Sequence, residues 1–148
     1  MKDEYQQLKN IFRQIANRVE KRADSLTEIK KLEKSKKTTR IGIEGWLKVE
    51  AAKALTVENI KHLRNKGADL VVEINGNLIE IELKAMSNFD VTDGSFKKKQ
   101  ADNYLYLCNA DDKNKCKNLE NIRNWEVVDS HTFNDGVGEW ILFMMKHK

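Results

Sequence analysis

The chain has no proline and only two cysteines, Cys108 and Cys116, among its 148 residues. Two cysteines cannot build a disulfide framework, and they have no partner spacing for a zinc site. The simplest reading is a pair of reduced thiols, with a disulfide left open. The lack of proline has no functional reading. His62, His131 and His147 are scattered and carry no metal-ligand spacing. No apolar run approaches the ~18 residues of a membrane span. The first residues lack the apolar core of a signal peptide. These absences give the expectation of a cytoplasmic chain with no membrane partner.

What is present is charge. The apolar fraction is 40% and the charged fraction 34%, which describes a globular chain with a heavily charged surface. The net charge of +4 is mildly basic and fits a polyanion partner. Its distribution says more than its total. Basic residues cluster from Lys30 to Arg40, from Lys61 to Lys66 and at Lys97 to Lys99.

One stretch organises the rest. Gly67 to Met86 reads as two short strands around Asn75-Gly76. A two-residue type I′ turn needs positive φ at both positions, which Asn-Gly tolerates best. With that pair at the tip, Ile74 faces Asn77, Val71 faces Glu80, Leu70 faces Ile81 and Asp69 faces Glu82. Side chains alternate across a strand. Leu70, Val72, Ile74, Ile79, Ile81 and Leu83 then make one apolar face, and Asp69, Glu80, Glu82 and Lys84 lie on the other. Directly opposed Cβ atoms are about 4.5–5.5 Å apart, so like charges there destabilise a plain hairpin. A divalent cation between Asp69 and Glu82 would remove that penalty, since Mg²⁺ is bound by one or two carboxylates plus substrate phosphate. The ammonium of Lys84, one step along, suits orienting a water or neutralising charge on a phosphate. A solvated polar sheet face is the alternative.

Asp69, twelve intervening residues and then Glu82-Leu83-Lys84 resembles the signature of the PD-(D/E)xK nuclease superfamily. Ala68 stands where that signature often has proline. The resemblance covers roughly Ile41 to Val128 and leaves out the first forty residues. It implies an α/β fold, a restriction-endonuclease-like mixed central sheet flanked by helices, here with an N-terminal helical extension. It also implies Mg²⁺- or Mn²⁺-dependent hydrolysis of phosphodiester bonds. Asp69 and Glu82 would hold the metal, with the Leu83 main-chain carbonyl as a further ligand, and Lys84 would serve the attacking water. Many members carry a third acid on the helix before the Asp strand. Glu44 matches that placement better than Glu50, although an acid at a helix start is also simply favourable there.

The remaining segments frame this ribbon. Tyr5, Leu8, Phe12, Ile15 and Val19 form a heptad-like stripe continued by Leu26 and Ile29. It predicts either one long helix or two with a break near Asp24, where Ser25 and Glu28 could cap a fresh start. The stripe either packs on its own domain or dimerises. A basic linker follows, closing an extension over 1–40 ahead of a nuclease-like domain over 41–148. Ile43 to Leu55 reads as a helix with Ile43, Leu47, Ala51, Ala54 and Leu55 inward. Thr56 to Lys66 is ambiguous and is read as a strand near Ile60 to Arg64. After the hairpin come a polar loop over Ser87 to Gly94 and a short helix from Ser95 to about Asp102. Gln100-x-x-x-Tyr104 is similar to a motif of helicase-linked nuclease domains, with the departure that Tyr104 belongs as readily to the next strand. Tyr104 to Cys108 reads as a buried strand, Asp111 to Asn124 as a helix and Trp125 to Asp129 as a strand, a succession that suggests parallel pairing. Val137 to Met145 is strongly apolar and reads as a closing helix.

The functional expectation is a metal-dependent DNA endonuclease, resolvase-like or restriction-like. Lys36, Lys37, Arg40, Arg64, Lys66, Lys97, Lys98, Lys99 and Gln100 are the candidate nucleic-acid contacts. Cutting both strands needs two active sites, which suits a homodimer. The alternatives are a non-catalytic nucleic-acid-binding protein on the same fold, and a structural protein assembled through its N-terminal heptads.

Overall fold

The computed structural model describes residues 2–34, 42–63, 69–85, 102–109 and 125–147. The chain is a mixed α/β structure. Among the described residues three helices, α1 (Lys2–Lys21), α2 (Asp24–Lys34) and α3 (Ile43–Val57), precede six strands. These are β1 (Lys61–Leu63), β2 (Leu70–Ile74), β3 (Asn77–Ala85), β4 (Asn103–Asn109), β5 (Trp125–Asn134) and β6 (Glu139–His147). They form one sheet in the order β1-β2-β3-β4-β6-β5. Among the described strands β3 and β4 pair in parallel, and the other four neighbouring pairs are antiparallel.

The helices and one sheet face share a single core. Leu8, Phe12, Ile15 and Val19 of α1, Leu26 of α2, and Leu47, Ala51 and Leu55 of α3 pack with Leu70, Val72, Ile81 and Leu83. Each of the larger side chains among them contributes about 1.5–3 kcal/mol by leaving water. The heptad-like stripe is thus consumed inside its own fold, while Tyr5 at its start is 40% exposed. The chain breaks between α1 and α2 at Arg22 and Ala23, ahead of the expected Ser25 cap, and Asp24 rather than Ser25 heads α2. Arg18 Nε of α1 donates to Glu50 Oε2 of α3 at 2.8 Å, and Glu50 is buried.

The segment after α3 holds both of its possible structures. The helix runs on to Val57, Asn59 turns the chain at φ 56°, and Lys61–Leu63 forms a three-residue edge strand on β2.

Two expectations about the strands are corrected. Val137 to Met145 is not a helix, because Glu139–His147 is the strand β6 between β4 and β5. Trp140, Leu142 and Met144 enter the helix-side core, while Phe143 and Met145 join Tyr104, Tyr106, Cys108 and Trp125 on the opposite face. A strand covered on both faces is continuously apolar, and periodicity cannot separate it from a buried helix. What starts it is the Asp135 turn. Asp135 Oδ1 accepts from the Val137 and Gly138 N–H groups at 2.8 and 2.7 Å, and Gly136 sits at φ +96°. The expected parallel pairing of Tyr104–Cys108 with Trp125–Asp129 is also absent. β6 lies between those strands and pairs antiparallel with each. Parallel pairing does occur, but between β3 and β4.

Cys108, buried in β4, is disulfide-bonded, which corrects the reading of reduced thiols. Tyr104 lies in β4, so it is not on a helix with Gln100. The expected basic linker, the Ser87–Gly94 loop, the helix from Ser95 up to residue 101 and the Asp111–Asn124 helix fall outside the described residues. Among the described residues no helix is long and apolar enough to cross a membrane.

Candidate active site

The hairpin has the register expected from its turn. Asn75 and Gly76 take φ 52° and 82°, and Ile74↔Asn77, Val71↔Glu80 and Leu70↔Ile81 are partners. Leu70 is the first residue of β2, so Asp69 stands just off the strand end, opposite Glu82 of β3. There the Asp69 side chain does what a strand backbone would otherwise do. Its Oδ2 accepts the Leu83 N–H at 3.0 Å. The N–H and C=O of a strand residue face the same neighbour, so the Leu83 carbonyl is directed to the side on which Asp69 lies.

Asp69 and Glu82 are hydrogen-bonded to each other, and their acidities move apart. Burial, then the hydrogen bond and the charge of Asp69, push the Glu82 carboxyl up to about 8, against the pull of Lys84 and Lys48. Burial also resists ionisation of Asp69, but hydrogen bonds from Glu82, the Leu83 N–H and Lys48 outweigh it and hold that carboxyl below its ordinary range. Two carboxyls this close share one proton, because both cannot ionise at once. The pair favours a singly charged form, with the proton drawn toward Glu82.

A helix supplies the counter-charge. Lys48 Nζ lies 3.0 Å from Asp69 Oδ1 and 3.7 Å from Glu44 Oε2. Burial disfavours this ammonium, but the hydrogen bond and charge of Asp69, then the charges of Glu44 and Glu82, raise its pKa above the usual lysine value. At 100° per residue, Glu44 and Lys48 share one flank of α3 and Glu50 lies on the other. The flanks have different uses. Glu50 is engaged by Arg18 of α1, whereas Glu44 stands beside Lys48 near the strand ends. Of the two candidate third acids, the structure brings only Glu44 toward Asp69.

Lys84 follows Glu82 by two residues on β3, half-buried, and its charge reaches Glu82. Glu80 lies one pair farther toward the turn, opposite Val71. A cleft of about 380 Å³ opens here, with Lys48, Val49, His62, Asp69 and Leu83 in its wall. The nine candidate nucleic-acid contacts, Lys36, Lys37, Arg40, Arg64, Lys66, Lys97, Lys98, Lys99 and Gln100, all lie outside the described residues. Lys61, from the same basic run, is paired with Glu73 at 2.9 Å on the sheet edge. Among the described residues no set of three or more His, Cys, Asp or Glu side chains is arranged to hold a metal ion.

Lys48 is the participant that the sequence reading missed. Its signal was the i,i+4 spacing from Glu44, an acid–base pair on one flank of a helix already suspected of carrying a third acid.

No family model, curated protein or solved structure matches the chain.

Proposed function

We propose that the chain is a metal-dependent deoxyribonuclease that hydrolyses phosphodiester bonds, on a fold of the restriction-endonuclease-like kind. The observation that carries this reading is the Asp69–Glu82 pair, two carboxyls opposed at a strand end with Lys84 adjacent on the same strand. Opposed carboxyls that must share a proton are a standing cost to the fold, and a site that holds a cation gives that cost a purpose. The donor set suits Mg²⁺ or Mn²⁺: hard oxygens, few in number, leaving room for substrate phosphate.

Asp69 and Glu82 would hold the cation, with the Leu83 carbonyl directed to the same side. A bound divalent cation polarises the phosphoryl oxygens and neutralises charge that builds on them. Lys84 orients the attacking water and stabilises charge at phosphorus. Glu44, at the start of α3, positions the water or a second cation. The lysine clusters on either side of the hairpin in sequence meet the DNA backbone, and a homodimer supplies one site per strand.

The test is cleavage of linear, supercoiled, single-stranded and four-way-junction DNA side by side, with Mg²⁺ or Mn²⁺ and with chelator. Cleavage that needs the metal and disappears in Asp69→Asn and Lys84→Ala is the expected result. Intact DNA on every substrate, with binding preserved, would leave the second reading, a non-catalytic nucleic-acid-binding protein. One observation favours that reading: Lys48 meets the charge of Asp69 at 3.0 Å.

A further inference from the structure

We infer that Lys48 is a resident counter-ion of the carboxylate pair, holding the Asp69 oxygen that a divalent cation needs, and that it must swing away before the cation is held. The inference rests on the metal-site reading of Asp69 and Glu82 given above.

Three features of the geometry carry it. The two oxygens of Asp69 have different partners. Oδ2 is committed to the backbone through the Leu83 N–H at 3.0 Å, and Oδ1 is held by Lys48 Nζ at 3.0 Å. A cation entering from the cleft competes for Oδ1, so it competes with Lys48. Second, the ammonium is shared: Glu44 Oε2 is 3.7 Å away, and the charge of Glu82 acts on it too. One positive group thus serves the same three acids that would receive a cation. Third, the side chain can leave. It is 39% exposed, lies in the cleft wall and carries its charge on a flexible four-carbon stem.

A purely structural ion pair in this fold has a different form. Arg18 meets Glu50 one to one at 2.8 Å, with Glu50 only 5% exposed. Glu50 is buried at the α1–α3 contact, whereas Asp69 and Lys48 line a cleft.

Competition predicts that removing the ammonium strengthens metal binding, although it also removes a neutralising charge that a structural role would require. The experiment is Mn²⁺ titration of the chelator-stripped full-length chain by calorimetry, for the wild type, Lys48→Met, Lys48→Arg and Asp69→Asn. Lys48→Met should bind Mn²⁺ at least about five-fold tighter, which is about 1 kcal/mol at 1.4 kcal/mol per tenfold. Lys48→Arg, which keeps the charge, should stay near the wild type, and Asp69→Asn should lose binding. Equal or weaker binding by folded Lys48→Met overturns the counter-ion role while leaving the metal site standing. No Mn²⁺ binding by either the wild type or Lys48→Met overturns the metal-site reading itself. A measurement on the unaltered protein guards against a variant that misfolds. Amine acylation followed by mass spectrometry should find Lys48 protected in chelator and several-fold more reactive with saturating Mn²⁺. Unchanged labelling in a protein that titrates with Mn²⁺ would also overturn the inference.

Discussion

Helix α3 sends a charged group to each flank, and the two meet very different company. On the α1 side, buried Glu50 faces Arg18 in a pair with one donor and one acceptor charge. On the strand side, Lys48 faces Asp69, Glu44 and the charge of Glu82, and two of those acids share a proton between themselves. The first arrangement is settled: each charge has a dedicated opposite. The second is unsettled: one ammonium answers to two acids, at 3.0 and 3.7 Å, and a third carboxyl is pushed toward its protonated form by its neighbour. Local conflict of that kind survives where it is used. The comparison separates a brace from a candidate site on the same helix, by charge balance and access rather than by residue type.

The sharpest way to break the comparison is at Asp69. Asp69→Asn should lower metal-dependent cleavage by about 10³-fold, about 4 kcal/mol of barrier at ~1.36 kcal/mol per tenfold, with the fold retained by circular dichroism. Glu50→Ala should do the reverse. It should cost about 3 kcal/mol in urea unfolding, near the low end for breaking a buried pair because Arg18 is partly solvated. Its residual folded fraction should keep normal metal dependence. Were Glu50→Ala to abolish cleavage at full stability, the division between brace and site would be wrong.

pH offers a third test, with opposite signs for the two acids of the pair. Glu82 is raised from 4.5 to about 8, so between those values the folded chain keeps a proton that the unfolded chain has lost. Its stabilising contribution is full below about 4.5 and is lost as pH rises toward 8. Asp69 is lowered, so its contribution is present above its unfolded value of 3.8 and is lost as pH falls below that. Thermal midpoints measured from pH 5 to 8.5 should therefore decline in the wild type and flatten in Glu82→Gln. Parallel profiles for the two proteins would show that no shared proton is present.

The smallest expected effect lies at the hairpin tip. Gly76 sits at φ 82°, so Gly76→Ala should cost about 1–2 kcal/mol, read from the urea midpoint. Cleavage per folded molecule should stay within a few-fold, because the turn sets register and takes no part in chemistry.

How much was legible in the sequence follows from how local each cause is. The Asn75-Gly76 turn dictates its own φ values, and with them every partner up to Leu70↔Ile81. The opposition of Asp69 and Glu82 could therefore be read with no tertiary information. The apolar stripe of α1 was equally plain, but not its destination, since a partner helix and a sheet bury the same residues. β6 was misread as a helix because apolar side chains on both strand faces erase the alternation that marks a strand. Asp135 and Gly136, which launch β6, were there to be read as a turn.

By itself the sequence determined the ribbon, its register and the carboxylate pair at its end, because a two-residue turn and strict alternation leave one arrangement. Only the tertiary structure decided which flank of α3 faces that pair. Helix periodicity placed Glu44 and Glu50 symmetrically about Leu47, and the packing of α1 claimed Glu50 for Arg18. That left Glu44 and Lys48 beside Asp69. The physical reason is range: turn chemistry acts over a few residues, whereas the electrostatics of Asp69 and Glu82 come from a lysine that burial and chain topology bring to them from another element.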